Sequence, residues 1–146
     1  MALSAIYSAT VLEHNRAPRN FGPLAGATLR GSGRNASCGD EVHMALRLDA
    51  AGRIDACAFE GESCAICTAA ASILSELAIG RDLAAIEAMQ SDLRALMAGA
   101  PADRERLGAL AVFDELAAHP ARQRCALLPF DALCRAMGGG RESFRF

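Results

Sequence analysis

The chain has 146 residues, enough for one domain with a sizeable core and short of what two would need. It is 52% apolar and 22% charged, with a formal net charge of −2 and 15 basic residues that are all arginine. That balance is ordinary for a soluble globular protein and gives no basic face for nucleic acid. No stretch approaches the roughly 18 or more apolar residues of a membrane span, and "MALSAIYSATVLEHNRAPRN" has neither the basic opening nor the apolar run of a secretory leader. The expected location is the cytoplasm, where the six cysteines stay reduced and point to metal or thiol chemistry rather than to disulfides.

Apolar residues at three-and-four spacing predict an amphipathic helix over residues 3 to 14, followed by a Pro- and Gly-bearing loop over 16 to 26. Alternation at Val42, Met44, Leu46 and Leu48 predicts a strand, with "DAAGR" as a hairpin turn into a second strand over 53 to 59. In that second strand Ile54, Ala56 and Ala58 fall on one face, Cys57 and Phe59 on the other. Residues 28 to 33 make a plausible third strand.

From Ala65 the period becomes helical up to Leu77, with Ser63 the expected N-cap and Gly80 a fitting stop. Residues 82 to 98 give one or two helices, the second starting at Ser91, and a further helix is expected over 104 to 118. Pro120 opens a last helix toward Met137, which Pro129 is expected to kink. The tail "GGGRESFRF" is Gly-rich and is expected to be mobile. The fold class is therefore α+β, a small antiparallel sheet of about three strands covered by helices, with the domain at 1–137 and the tail at 138–146.

Three cysteine segments carry the chemistry. In "NASCGDE", Cys38 precedes Asp40 by two positions, so an extended backbone would turn thiolate and carboxylate to one side; a polar turn is the plain alternative. In "GESCAIC", Cys64 stands where a helix begins, and the open N–H groups and dipole there favour its thiolate. Cys67 lies one turn on. A zinc knuckle needs a second close pair, which the chain lacks, and a redox pair would leave Cys38 and Asp40 without a role. Cys125 sits in the last helix, while Cys57 and Cys134 read as packing residues.

Taken in order, "LEHNRAPRNFG", "NASCGDE", "FEGESCAIC" and "HPARQRCALLPFDAL" resemble the iron-sulfur cluster assembly family of the IscU and NifU N-terminal type, most closely its SufU branch. The resemblance runs from about Leu3 to Leu133. Two features favour that branch. An extra segment, "GAPADRERLGALAVFDE", precedes the third cysteine motif, and Arg124 stands where the IscU type carries a histidine ligand. Departures from the family pattern are Ala17, Ala36, Ser63 and Cys67, the last in a slot usually held by serine; none is a ligand position.

The resemblance implies a metal site of Cys38, Asp40, Cys64 and Cys125, with zinc as the expected ion and iron or a [2Fe-2S] cluster as the alternative. It implies Cys125 as acceptor of persulfide sulfur; beside it, Asp40 is expected to be the labile donor because a carboxylate is the hardest of the four, and Arg124 either supports a released thiolate or is a solvated helix residue. The implied partners are a SufS-like cysteine desulfurase and downstream assembly proteins or apoproteins. A sulfurtransferase is the first expectation, a cluster scaffold the second and a zinc-stabilised adaptor the third; whether the chain is itself an enzyme stays open at this point.

Overall fold

The computed structural model describes residues 7–138. The first residues of the expected N-terminal helix and most of the Gly-rich tail lie outside the described residues. Helix α1 (Ala9–Arg16) starts at Ser8, whose Oγ accepts from the Val11 N–H at 3.4 Å, and it stops at Ala17, the residue before Pro18. It buries Val11 and His14; His14 Nδ1 lies 2.7 Å from the Ser72 Oγ of the helix below, a polar tie that satisfies both buried groups.

Three strands follow, β1 (Leu29–Asn35), β2 (Asp40–Leu48) and β3 (Ile54–Glu62), in an antiparallel sheet ordered β1-β2-β3. Period-two alternation turns Asp40, Val42, Met44 and Leu46 to the core, while His43 and Arg47 face outward. Each strand runs past the sequence reading by two or three residues, and the extra length carries the β1–β2 hairpin up to the turn that holds Cys38. A register shift between Arg47 and Leu48 pairs Leu48 with Ile54 and leaves Asp55 unopposed. That bulge corrects the expected faces of β3: Ile54 joins Cys57 and Phe59 in the core.

Helix α2 (Ala65–Leu77) is buried on nearly every side, and Gly80 at φ +84° lets the chain turn back, its N–H donating to Ile54 O at 2.7 Å. Residues 82 to 98 form one helix, α3 (Leu83–Met97), capped by Asp82 through the Ala85 N–H at 2.9 Å; Ser91 sits mid-helix and caps nothing. The helix expected over 104 to 118 is instead a single α-turn, α4 (Arg104–Leu107), and then a 3-10 segment, Gly108–Ala118. Gly108 at φ +54° breaks the α-helical path between them.

Helix α5 (Pro120–Ala136) opens on Pro120 and continues through Pro129, which lies inside its span without ending it. It crosses the core face of β1 and β2 and packs on α2 and α3. Gly31 and Gly33 of β1 make room for it: a Cβ at Gly31 would meet the Ala132 carbonyl and the Ala136 amide of α5. This close seat brings the N-terminal half of α5 to the sheet end where β1 turns into β2 and β3 enters α2. No helix among the described residues is long and apolar enough to cross a membrane.

Candidate metal centre

Three local devices meet at that end. The first is the β1–β2 turn over residues 36 to 39, where Gly39 takes φ +72° and the Cys38 N–H donates to Asn35 O at 3.2 Å. The backbone is turned rather than extended between Cys38 and Asp40. Their convergence thus comes from the hairpin, with Asp40 aimed inward as the first core-facing residue of β2.

The second device is the start of α2. Cys64, not Ser63, is the N-cap, at φ −68° and ψ 170°, and Ser63 instead pairs its hydroxyl with Thr68 Oγ1 at 2.9 Å. The Cys64 N–H donates to Asp40 Oδ1 at 2.7 Å, and Cys64 Sγ stands 3.8 Å from Asp40 Oδ2. The third is the first turns of α5, where Cys125 is fully buried with its Sγ 3.8 Å from Ala121 O and 4.0 Å from the Asn35 amide.

Ligand atoms of Cys38, Asp40 and Cys125 all lie within 4.8 Å of one another. Cys64 is tied to the same group through Asp40, and it and Cys125 shift one another's ionisation in opposite directions. A tetrahedral zinc with bonds of about 2.0–2.3 Å spaces its donors by roughly 3.3–3.8 Å. Cys38, Asp40 and Cys125 stand near that spacing, while Cys64 lies outside this group of three and would have to move toward it to complete a tetrahedron; three sulfurs with one carboxylate are donors that zinc accepts. The same three thiolates suit an iron-sulfur cluster.

Cys64 and Cys125 are shifted in opposite directions by their proximity. The hydrogen bond from Cys125 lowers the pKa of Cys64 against the opposing effect of burial, and the N–H groups of Cys67 and Ile66 at the open helix start lower it further without closing a capping bond. Cys125 moves the other way, raised first by its bond to Cys64 and then by burial. Cys67, fully buried, is pushed up to about 12 by desolvation, and Cys57 likewise.

The arginine next to these sulfurs is Arg122. It lies one turn before Cys125, and its guanidinium is held protonated by Tyr7 and by Cys64 and Cys125, within reach of the Cys64 sulfur. Arg124, which the sequence reading placed in that role, is exposed and lines a cleft with Arg34, Asn35, Arg94 and Asp131. Helical spacing carried the signal that was missed, because residues three apart share a face and adjacent residues do not. No histidine contributes among the described residues: His14 bonds Ser72, His43 bonds Ser32, and His119 precedes α5.

Residues 6–126 match the sequence profile of the NifU-like N-terminal domain. The chain is 28% identical over 137 residues to the iron-sulfur cluster assembly scaffold protein IscU of Thermotoga maritima, covering 94% of this chain and 96% of that protein. It is 30% identical over 132 residues to the zinc-dependent sulfurtransferase SufU of Bacillus subtilis, covering 90% and 88%. Among solved structures it resembles a protein of Fervidobacterium islandicum AW-1 described as an iron-sulfur cluster assembly scaffold for the SUF system. The TM-score there is 0.83 at 30% identity, over 90% of this chain and 96% of that one.

Proposed function

The chain belongs to the NifU-like N-terminal domain family of iron-sulfur cluster assembly proteins, and from that premise we propose that it is a zinc-dependent sulfurtransferase that takes persulfide sulfur from a cysteine desulfurase. The observation that carries the reading is the donor set: Cys38, Asp40 and Cys125 gathered within 4.8 Å, Cys64 bonded to Asp40, and no imidazole beside them. The likeness to a relative named as a zinc-dependent sulfurtransferase supports it. The six free cysteines suit a reducing cytoplasm, where desulfurases supply such sulfur.

Zinc held by Cys38, Asp40, Cys64 and Cys125 would keep the three sulfurs deprotonated at neutral pH. Asp40 is the donor best placed to exchange. Its Oδ1 is committed to the Cys64 N–H, so the carboxylate stays anchored whether or not Oδ2 is engaged. Cys125 is the acceptor: its thiolate attacks the terminal sulfur of the donor's persulfide, a sulfur–sulfur bond forms on Cys125, and the donor's thiolate leaves. Because Cys125 is fully buried while Cys38 and Cys64 are partly exposed, the donor reaches it only when the turn bearing Cys38 swings aside. Gly39, in the left-handed region with open space around it, permits that swing.

The scaffold reading draws on a different observation, the likeness to a relative named as a scaffold together with three thiols at one centre. One experiment separates the readings. The chain is purified anaerobically, its metal measured, and cysteine and a cysteine desulfurase are added. Colourless protein with zinc that speeds desulfuration and gains one sulfur on Cys125 supports transfer. Visible absorption from an iron-sulfur cluster that survives on the folded chain favours the scaffold. Zinc-loaded protein that neither speeds the desulfurase nor gains sulfur is an adaptor only. Cys125→Ala should fold and take up no sulfur, and uptake at the unaltered rate would overturn the assignment.

A further inference from the structure

Cys67 has no part in the chemistry above, yet it is a fully buried thiol one turn from the metal centre. Cys64 is the N-cap of α2 and Cys67 the third residue of its first turn, three positions on. The arrangement pairs a partly exposed thiol at a helix mouth with a buried thiol that solvent cannot touch. A reagent arriving from outside meets Cys64 first, and Cys67 is reached only through it. The Ser63 hydroxyl, beside Cys67, bonds Thr68 and so holds the segment leading into the helix in place.

We infer that Cys64 and Cys67 form a dithiol that reduces sulfane sulfur arriving at this site to hydrosulfide. The Cys64 thiolate takes the terminal sulfur from the persulfide formed on Cys125, or directly from a small-molecule persulfide, and the donor sulfur leaves as a thiolate. Cys67 then attacks Cys64 Sγ, forming the Cys64–Cys67 disulfide and breaking the bond to the outer sulfur. The two protein sulfurs are oxidised to one disulfide. The outer sulfur takes both electrons and the Cys67 proton and leaves as hydrosulfide.

Geometry permits the closure. Residues three apart at a helix start have Cβ atoms about 5–6 Å apart, and a disulfide wants roughly 3.5–4.5 Å. The difference is an ångström or so. It falls on the side chain of Cys64, because its carbonyl accepts from the Thr68 N–H at 2.9 Å and its N–H donates to Asp40, which hold its backbone at the start of α2. Closure also withdraws Cys64 from the four donors, so reduction of sulfur and loosening of the metal site are one event.

The inference rests on sulfane sulfur reaching the site, as proposed above, but its test needs no desulfurase. The full chain as purified is treated with one equivalent of freshly made glutathione persulfide, and with oxidised glutathione as control. Hydrosulfide is trapped by bromobimane, and the protein is weighed and peptide-mapped without reduction. The expected result is a chain lighter by two hydrogens, a Cys64–Cys67 linked peptide, and about one hydrosulfide per disulfide. Cys67→Ser and Cys67→Ala should instead retain one added sulfur and release none beyond control. Equal hydrosulfide from both variants, no linked peptide in the unaltered chain, or the same disulfide yield with oxidised glutathione would overturn it. Loss of desulfurase-dependent transfer alongside intact release from glutathione persulfide would sink the proposed function and leave this inference standing.

Discussion

The Cys64 N–H donates to Asp40 Oδ1 at 2.7 Å, joining the first residue of β2 to the residue that starts α2. Asp40 is 1% exposed, so this carboxylate does two jobs in a place where a lone charge would be costly. One oxygen closes an otherwise open helix start, and the other faces the sulfurs.

That division separates two substitutions. Asp40→Asn keeps an oxygen for the Cys64 N–H and removes the charged donor, whereas Asp40→Ala removes both. In metal-free protein Asp40→Ala should fall below Asp40→Asn by about 1–3 kcal/mol, the usual cost of orphaning a buried donor. Both should bind zinc more weakly than the unaltered chain. Urea melts in chelator and a competition with a chromophoric zinc chelator read the two effects. Equal metal-free stability of the two variants would show that the bond to Cys64 carries no weight.

Arg122 and Arg124 make a matched pair for thiol reactivity. A cation beside Cys64 favours its thiolate, so removing that cation raises the thiol pKa; an exposed cation lining the cleft with Asn35 leaves it alone. In metal-free protein, Arg122→Ala should move the pH profile of iodoacetamide capture at Cys64 upward by roughly one unit. Arg124→Ala should leave it in place. A shift with Arg124→Ala and none with Arg122→Ala would return the role to Arg124.

Burial of Cys57 links stability to alkaline pH. Burial holds Cys57 at about 12 against an ordinary value of 9.0. Below pH 9 the thiol is protonated in both folded and unfolded chains. Above it the unfolded chain ionises first, and stability falls until the folded thiol also titrates near 12. The loss is about 1.4 kcal/mol per pH unit over that window, or roughly 2 kcal/mol by pH 10.5. Cys57→Val fills the same space without a proton to lose, so its urea midpoint should drop less between pH 8 and 10.5. Cys67 and Cys134 ionise in both proteins and cancel from the comparison. Parallel declines would show that Cys57 is not the group concerned.

Much of this site was legible because its parts are local. The helix start at Cys64 and the last helix around Cys125 follow from turn residues and apolar period, and the α+β sheet follows from the alternation at Val42 to Leu48; the grouping of Cys38, Asp40, Cys64 and Cys125 came from the family resemblance, and the hairpin that turns Cys38 toward Asp40 was not read from the sequence. What escaped was set by tertiary packing. The bulge at Asp55 turned Ile54 inward, the 3-10 path after Gly108 replaced a helix whose apolar residues looked regular, and Asp82 outcompeted Ser91 because it stood at the true start of α3. Arg122 is different: it stands three residues before Cys125, so helical spacing alone places it on the side of α5 that carries that sulfur.

The seat of α5 on β1 is the most exposed of these dependencies to a single atom. Gly31 faces the helix so closely that a methyl group would strike the Ala132 carbonyl and the Ala136 amide, both backbone and neither able to rotate away. Gly31→Ala must therefore lift α5, at a cost of about 1–3 kcal/mol typical of overpacking. The same helix carries Cys125, so lifting it draws one sulfur away from Cys38 and Asp40, and zinc affinity should fall with stability. Ser32→Ala, one residue on and facing outward, should stay within about 0.5 kcal/mol of the unaltered chain and bind zinc as tightly. Urea midpoints and zinc competition on the two variants give the answer. A Gly31→Ala chain that matches Ser32→Ala in both would mean that α5 sits higher over the sheet than this packing allows.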